Sequence, residues 1–99
     1  MNKSTIYFSY WQTKDNLFLN LKRKLNLKKT ISQALSDCNI AGGTFSNKVG
    51  YWEGSSEPSV EGLFYDVSKA KINKLAKVLK IKLNQDSILV DSNDQVSFI

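Results

Sequence analysis

Between Lys69 and Lys82 the chain carries six lysines, no acidic residue and a row of apolar side chains at helical spacing. Ile72, Leu75, Ala76, Leu79 and Leu83 fall within about 100° of one another on a helical wheel, with the lysines opposite. Such a helix can bury one side only, so the fold must supply an apolar surface beneath it. Ser68 stands where an N-cap is needed, and the spacing predicts a helix from there to about Leu83. Val78 and Ile81 sit among the lysines. Either they touch a partner or the helix ends before Ile81.

The flanking segments describe that surface. Thr5–Trp11 is β-branched and aromatic, with Ile6, Phe8 and Tyr10 on one face of a strand. Residues 17–25 fit two periods. Leu17, Leu19, Leu21, Leu25 and Leu27 alternate as a strand would, and Leu17, Leu21 and Leu25 also form an i, i+4 row. The favoured reading is an extended or irregular arm. A helix follows, with Asn26 as N-cap, Leu27, Ile31, Ala34, Leu35 and Cys38 as its stripe, and Gly42-Gly43 as its stop. Residues 44–52 and 59–67 read as the arms of a hairpin turning through 54–58. Residues 87–90 read as a strand, 91–94 as a turn and 95–99 as an edge strand folding back.

Strand, helix, hairpin, helix, strand is the order of the split βαβ arrangement. The expected class is therefore α+β: a ferredoxin-like βαββαβ sandwich, one domain over residues 1–99, with both helices on one face of an antiparallel sheet. Ninety-nine residues suffice for one modest core. In that frame Lys28 and Lys29 join Lys69, Lys71, Lys74, Lys77 and Lys80 in a basic outer layer, while the acidic hairpin turn projects from an end.

Charge is blocked along the chain. Residues 49–68 contain Glu53, Glu57, Glu61 and Asp66 and no basic residue, although the whole chain is +5. The lysine layer can neutralise phosphates of DNA or RNA. Thirteen of the fourteen basic residues are lysines, however, Arg23 being the exception, and lysine lacks the planar fork used in specific readout. The exposed-aromatic alternative, bases stacked on Tyr7, Trp11, Tyr51, Trp52 or Tyr65, lacks the aromatic signature of RNA-recognition strands, and packing is the expected role for most of these rings.

Histidine is absent, which removes Ser–His and Cys–His nucleophile pairs and the usual general base near neutral pH. Cys38 is the single cysteine and lies on an apolar stripe, where it acts as a small hydrophobe. Alternation places the hairpin acids on no evident common face, so a magnesium or acid–base site there is not favoured. Residues 91–95 lack the glycine and glutamate of a calcium loop, and no glycine-rich phosphate loop is present. No catalytic residue, metal or cofactor is expected, and the chain is expected not to be an enzyme.

Gly50-Tyr-Trp-Glu-Gly-Ser-Ser-Glu-Pro-Ser59, followed by Asn84-Gln-Asp-Ser-Ile88, resembles a pattern in short proteins of phages and mobile elements, across roughly residues 43–90. The resemblance implies a ferredoxin-like fold without an established activity, Tyr51 and Trp52 anchoring the hairpin and Asn84 and Gln85 closing the helix.

The resulting expectation is a small non-enzymatic binding protein of a phage or mobile element. It would act as an inhibitor of the anti-CRISPR kind that occludes a host protein or nucleoprotein. The binding residues expected are Lys28, Lys29, Lys69, Lys71, Lys74, Lys77, Lys80, Trp52, Glu53 and Glu57. The alternative is a nucleic-acid-binding protein using the lysine face. The chain reads as intact from its own methionine and cytoplasmic in the host cell, with no signal peptide, spanning segment or membrane partner. The expected edge strand leaves a homodimer open.

Overall fold

Alternation at period two builds most of the sheet, and inward apolar stripes build the helices that cover it. The computed structural model describes residues 2–99, apart from the Trp52 side chain. Its elements run β1 (Lys3–Phe8), α1 (Leu17–Leu25), α2 (Leu27–Asp37), β2 (Thr44–Trp52), β3 (Ser55–Tyr65), α3 (Lys69–Lys82), β4 (Leu89–Ser92) and β5 (Gln95–Phe98). The sheet has the order β2-β3-β1-β4-β5, and each neighbouring pair is antiparallel. The α+β class is as expected. Among the described residues there are five strands and three helices, where the compact scheme had four and two.

α3 follows its sequence signal closely. Ser68 Oγ accepts from the Lys71 amide at 3.3 Å, and Ile72, Leu75, Ala76 and Leu79 are fully buried. They meet Ile6 and Phe8 of β1, Val60 and Phe64 of β3, Val90 of β4, and Ala34 of α2 with the adjoining Cys38 in one core. Val78 packs against that core, whereas Ile81 remains exposed. Burial pushes the Cys38 thiol up from its ordinary value; Lys74 opposes the shift and Asp37 adds to it. The thiol is therefore kept protonated, as a packing group.

Five local expectations are corrected, the first being the opening strand, expected over 5–11 and found at Lys3–Phe8. Residues 17–25 form the helix α1, not an extended arm. Its outward face carries leucines and its inward face is polar: Asn20 is buried and Arg23 donates to the Tyr10 carbonyl at 3.0 Å, to Asn20 Oδ1 at 3.0 Å and to the Asp15 carboxylate. Asn16 caps α1, its Oδ1 accepting from the Leu19 amide at 2.9 Å, while Asn26 stands at the N-cap of α2 as expected but makes no side-chain cap bond. The Asn26 side chain donates instead to the Lys22 carbonyl. Leucine spacing alone fits both periods; the polar row Asn16, Asn20, Arg23 is satisfied by residues 10–16 at helical spacing.

α2 stops at Asp37, before the glycine pair, because Asn39 adopts φ +56 and turns the chain out of the helix. The hairpin turns at Glu53-Gly54, with φ +49 and +79. Two consecutive left-handed residues match the twist of the flanking strands, so β3 starts at Ser55. β4 lies two residues later than expected, and its turn to β5 at Asn93-Asp94 uses the same device, with φ +51 and +65.

Gly62 on β3 makes room for the side chains of its neighbours on β2 and β1, Phe45 and Ile6. A Cβ there would lie 2.8 Å from a Phe45 ring carbon and 3.0 Å from Ile6 Cγ1. Gly62→Ala is expected to cost about 1–3 kcal/mol in chemical denaturation, because both neighbours are packed.

Candidate functional site

The helices cover one face of the sheet and leave the other open. Register assigns that open face residue by residue. Across the strands, one row reads Phe98, Leu89, Tyr7, Glu61, Ser46 and the next reads Val96, Asp91, Thr5, Leu63, Thr44. Tyr7 thus stands at the centre of five strands with Glu61 directly across on β3 and Leu89 directly across on β4. Asp91 is two residues from Leu89 on the same side. Apolar Leu63, Leu89, Val96 and Phe98 frame the polar centre.

Tyr7 is half-buried, and its phenol is held above its ordinary value of 10.0 first by burial, then by the Glu61 and Asp91 carboxylates. Ionising it would place a third negative charge beside two. The sign follows directly. The folded state favours the neutral phenol, so this contribution to stability is present below the ordinary phenol value and is lost as pH rises through the folded one. An ultraviolet titration is expected to show a phenol that ionises later than an ordinary tyrosine. That late step should be absent in Tyr7→Phe and shifted to lower pH in Glu61→Gln.

Two hollows flank this centre. One, of about 320 Å³, is lined by Lys3, Thr5, Tyr7, Asp91, Asn93 and Asp94. The other, of about 330 Å³, lies where β1 leaves the sheet, and Tyr51, Glu57, Asp86 and Phe98 are among its walls. Phe98 belongs both to the Tyr7 row and to this second hollow. The chemistry on offer is carboxylate, phenol and aromatic surface: groups that accept hydrogen bonds from hydroxyls and ammonium, attract cations and stack on a flat ring.

The expected site residues are distributed differently. Glu57 is not in a turn but on β3 opposite Gly50, four residues before Glu61, so these two acids share a face. Glu53 does occupy the turn, while Asp66 accepts from the Asn2 amide at 3.0 Å. Among the described residues no three His, Cys, Asp or Glu side chains gather where they could hold one metal ion. Tyr51 is exposed and does not anchor the hairpin by packing; the Trp52 side chain lies outside the described residues. Gln85 helps close α3 as expected, its amide donating to the Lys80 carbonyl at 2.9 Å.

Lys69, Lys71, Lys74 and Lys77 are exposed on α3, Lys80 is half-buried, and Lys28 and Lys29 are exposed on α2. α2 packs beside α3, so these lysines do form a basic layer, on the side of the sheet away from Tyr7. Lys71 is engaged with the Asn39 carbonyl at 3.0 Å. The helices thus present a basic layer on one side, and the open sheet face carries Glu57, Glu61 and Asp91 with Lys3 and Lys48 toward its edges. Tyr7, a candidate stacking ring, and Glu61, a hairpin acid, are not among the expected binding residues, and Asp91, expected in a turn, lies on β4. They come from three strands far apart in sequence, and the available signal was strand parity in 55–65, obscured by a misplaced turn.

No family model and no curated protein matches this chain. Solved structures do. A phage SAM lyase in complex with S-methyl-5'-thioadenosine is similar with a TM-score of 0.71 and 19% identity, covering 99% of this chain and 88% of that one. A phage SAM lyase in the apo state gives a TM-score of 0.73 and 20% identity, covering 99% and 87%. At such identities the likeness shows a shared fold. It overturns the expectation of a non-enzyme, because nearly the whole chain is spanned by a fold that carries an enzyme, and it gives no support to an anti-CRISPR or nucleic-acid role. No helix among the described residues is long and apolar enough to cross a membrane.

Proposed function

We propose that this chain is a phage-type lyase that binds S-adenosylmethionine on the open sheet face and releases S-methyl-5'-thioadenosine. The observation that carries the reading is the row of Tyr7 and Glu61, with Asp91 adjacent, framed by Leu63, Leu89 and Phe98. We read the scaffold as ferredoxin-like, with strand order β2-β3-β1-β4 and β5 added at the edge.

S-adenosylmethionine carries positive charge at sulfur and at its ammonium group, so an acid-centred face on a basic protein concentrates it locally. In the reaction the sulfur–Cγ bond breaks and its electron pair returns to sulfur, leaving a neutral thioether. The substrate's own carboxylate oxygen forms the new bond to Cγ and closes a five-membered lactone. Neither water nor an enzymic nucleophile is consumed, which suits a chain without histidine.

Loss of charge at sulfur decides where the protein groups belong. A carboxylate facing sulfur would stabilise substrate more than transition state and slow the step. Glu61 and Asp91 therefore serve the ammonium and ribose hydroxyls, while Leu63, Leu89 and Phe98 line the sulfonium. A poorly hydrated wall there favours the change that removes charge.

The test is incubation of purified protein with S-adenosylmethionine, followed by mass spectrometry and calorimetry. Accumulation of S-methyl-5'-thioadenosine in step with substrate loss supports the proposal. Binding without product overturns the lyase assignment and leaves a binder; no binding overturns both.

A further inference from the structure

We propose that α1 is an interfacial helix whose outward face docks on an anionic lipid surface. At 100° per residue, Leu17, Leu21, Leu25 and Phe18 fall within an arc of about 100°. Their exposures are 63%, 41%, 84% and 72%. Single exposed leucines are ordinary on a protein surface, but four large apolar side chains on one arc of a nine-residue helix are a patch.

The amphipathicity is inverted relative to the protein's own core. Asn20 and Arg23 point inward and are held by the strap at residues 10–16: the Gln12 amide donates to Asn20 Oδ1 at 2.9 Å, and Asn20 Nδ2 donates back to the Gln12 carbonyl at 2.9 Å. A helix whose polar side is satisfied by protein and whose apolar side faces outward is already oriented for an apolar contact.

Charge identifies the occupant. Lys22 and Lys24 lie on either side of the apolar arc, and Lys28 and Lys29 follow on α2. The first turn of α1 has no acidic residue, and the nearby Asp15 is paired with Arg23. Docking a second copy of this face would set like lysines together, whereas anionic headgroups complement them while lysine stems lie along the apolar surface. The expected absence of a membrane partner rested on spanning length, which does not bear on a helix lying in the interface. This face shares no residue with the Tyr7 rows, so the proposal stands or falls apart from the lyase reading.

The test is flotation of the whole chain with vesicles of equal phosphatidylglycerol and phosphatidylcholine, against phosphatidylcholine alone. Co-flotation with the anionic vesicles, weakened by salt, is expected. Phe18→Ser with Leu25→Ser should reduce partitioning at least about tenfold, the loss of two inserted side chains, and Lys22→Glu with Lys24→Glu should do likewise. Both pairs are solvent-facing, so circular dichroism and thermal midpoint should stay unchanged. Failure of the parent chain to float overturns the proposal. So does undiminished flotation of the Phe18/Leu25 variant, or a drop in its sedimentation mass showing that the face is buried between copies.

Discussion

Replacing Glu61 by Gln is expected to lower the rate of S-methyl-5'-thioadenosine release by about 10- to 100-fold. The carboxylate stands across from Tyr7 on the neighbouring strand and is the proposed acceptor for a cationic or hydroxyl group of the substrate. Hydrogen bonds to charged groups are worth about 1.5–3 kcal/mol, which converts to that range of rates. Gln keeps the shape and one acceptor but removes the charge, so the loss reports electrostatics, not packing. Kinetics should divide the effect. An interaction made equally with substrate and transition state raises KM at constant kcat; one gained in the transition state lowers kcat. The thermal midpoint of Glu61→Gln should remain near that of the parent, because Glu61 lies on the open face. With an active parent chain, unchanged kcat and KM in Glu61→Gln would remove this face from the proposed site.

Phe64→Ala should have the largest effect on stability, about 3–5 kcal/mol by chemical denaturation. The ring is 1% exposed, sits edge-on to Phe45 with centroids 5.6 Å apart, and lies so close to Gly43 that a Cβ there would fall 2.5 Å from it. Backbone on one side and the Phe45 ring on the other restrict collapse into the void, which places the cost toward the upper end. Domains of this size have about 5–15 kcal/mol in total, and each lost kcal/mol lowers Tm by about 4–8 °C. Phe64→Ala should therefore melt at least about 12 °C below the parent. Tyr65→Ala, the next residue but on the open face and 54% exposed, should change stability little. Equal losses at both positions would contradict the assigned strand parity.

The strongest local signals were legible without coordinates. The Ser68 cap, the α3 stripe and its lysine face appear as the periodicity predicts, because a long amphipathic helix constrains itself through many i, i+4 relations. The first strand was legible from its β-branched and aromatic composition and period-two alternation, and the edge strand from the turn residues before it. Turns were less so. The hairpin reverses at Glu53-Gly54, where a non-glycine residue accepts a left-handed conformation, and the more conspicuous Ser-Ser-Glu-Pro run lies inside β3. That displaced turn hid the shared face of Glu57 and Glu61.

Composition and periodicity by themselves determined the α+β class, the buried stripe, the basic helix layer and the absence of histidine chemistry, since each depends on neighbours within a few residues. Tertiary structure alone decided the open-face site and the orientation of α1. Tyr7, Glu61 and Asp91 meet only after β1 is inserted between β3 and β4, and strand order is a property of long-range pairing. The leucines of residues 17–25 face outward because Asn20 and Arg23 find their partners in the strap at residues 10–16, a preference that leucine spacing does not encode.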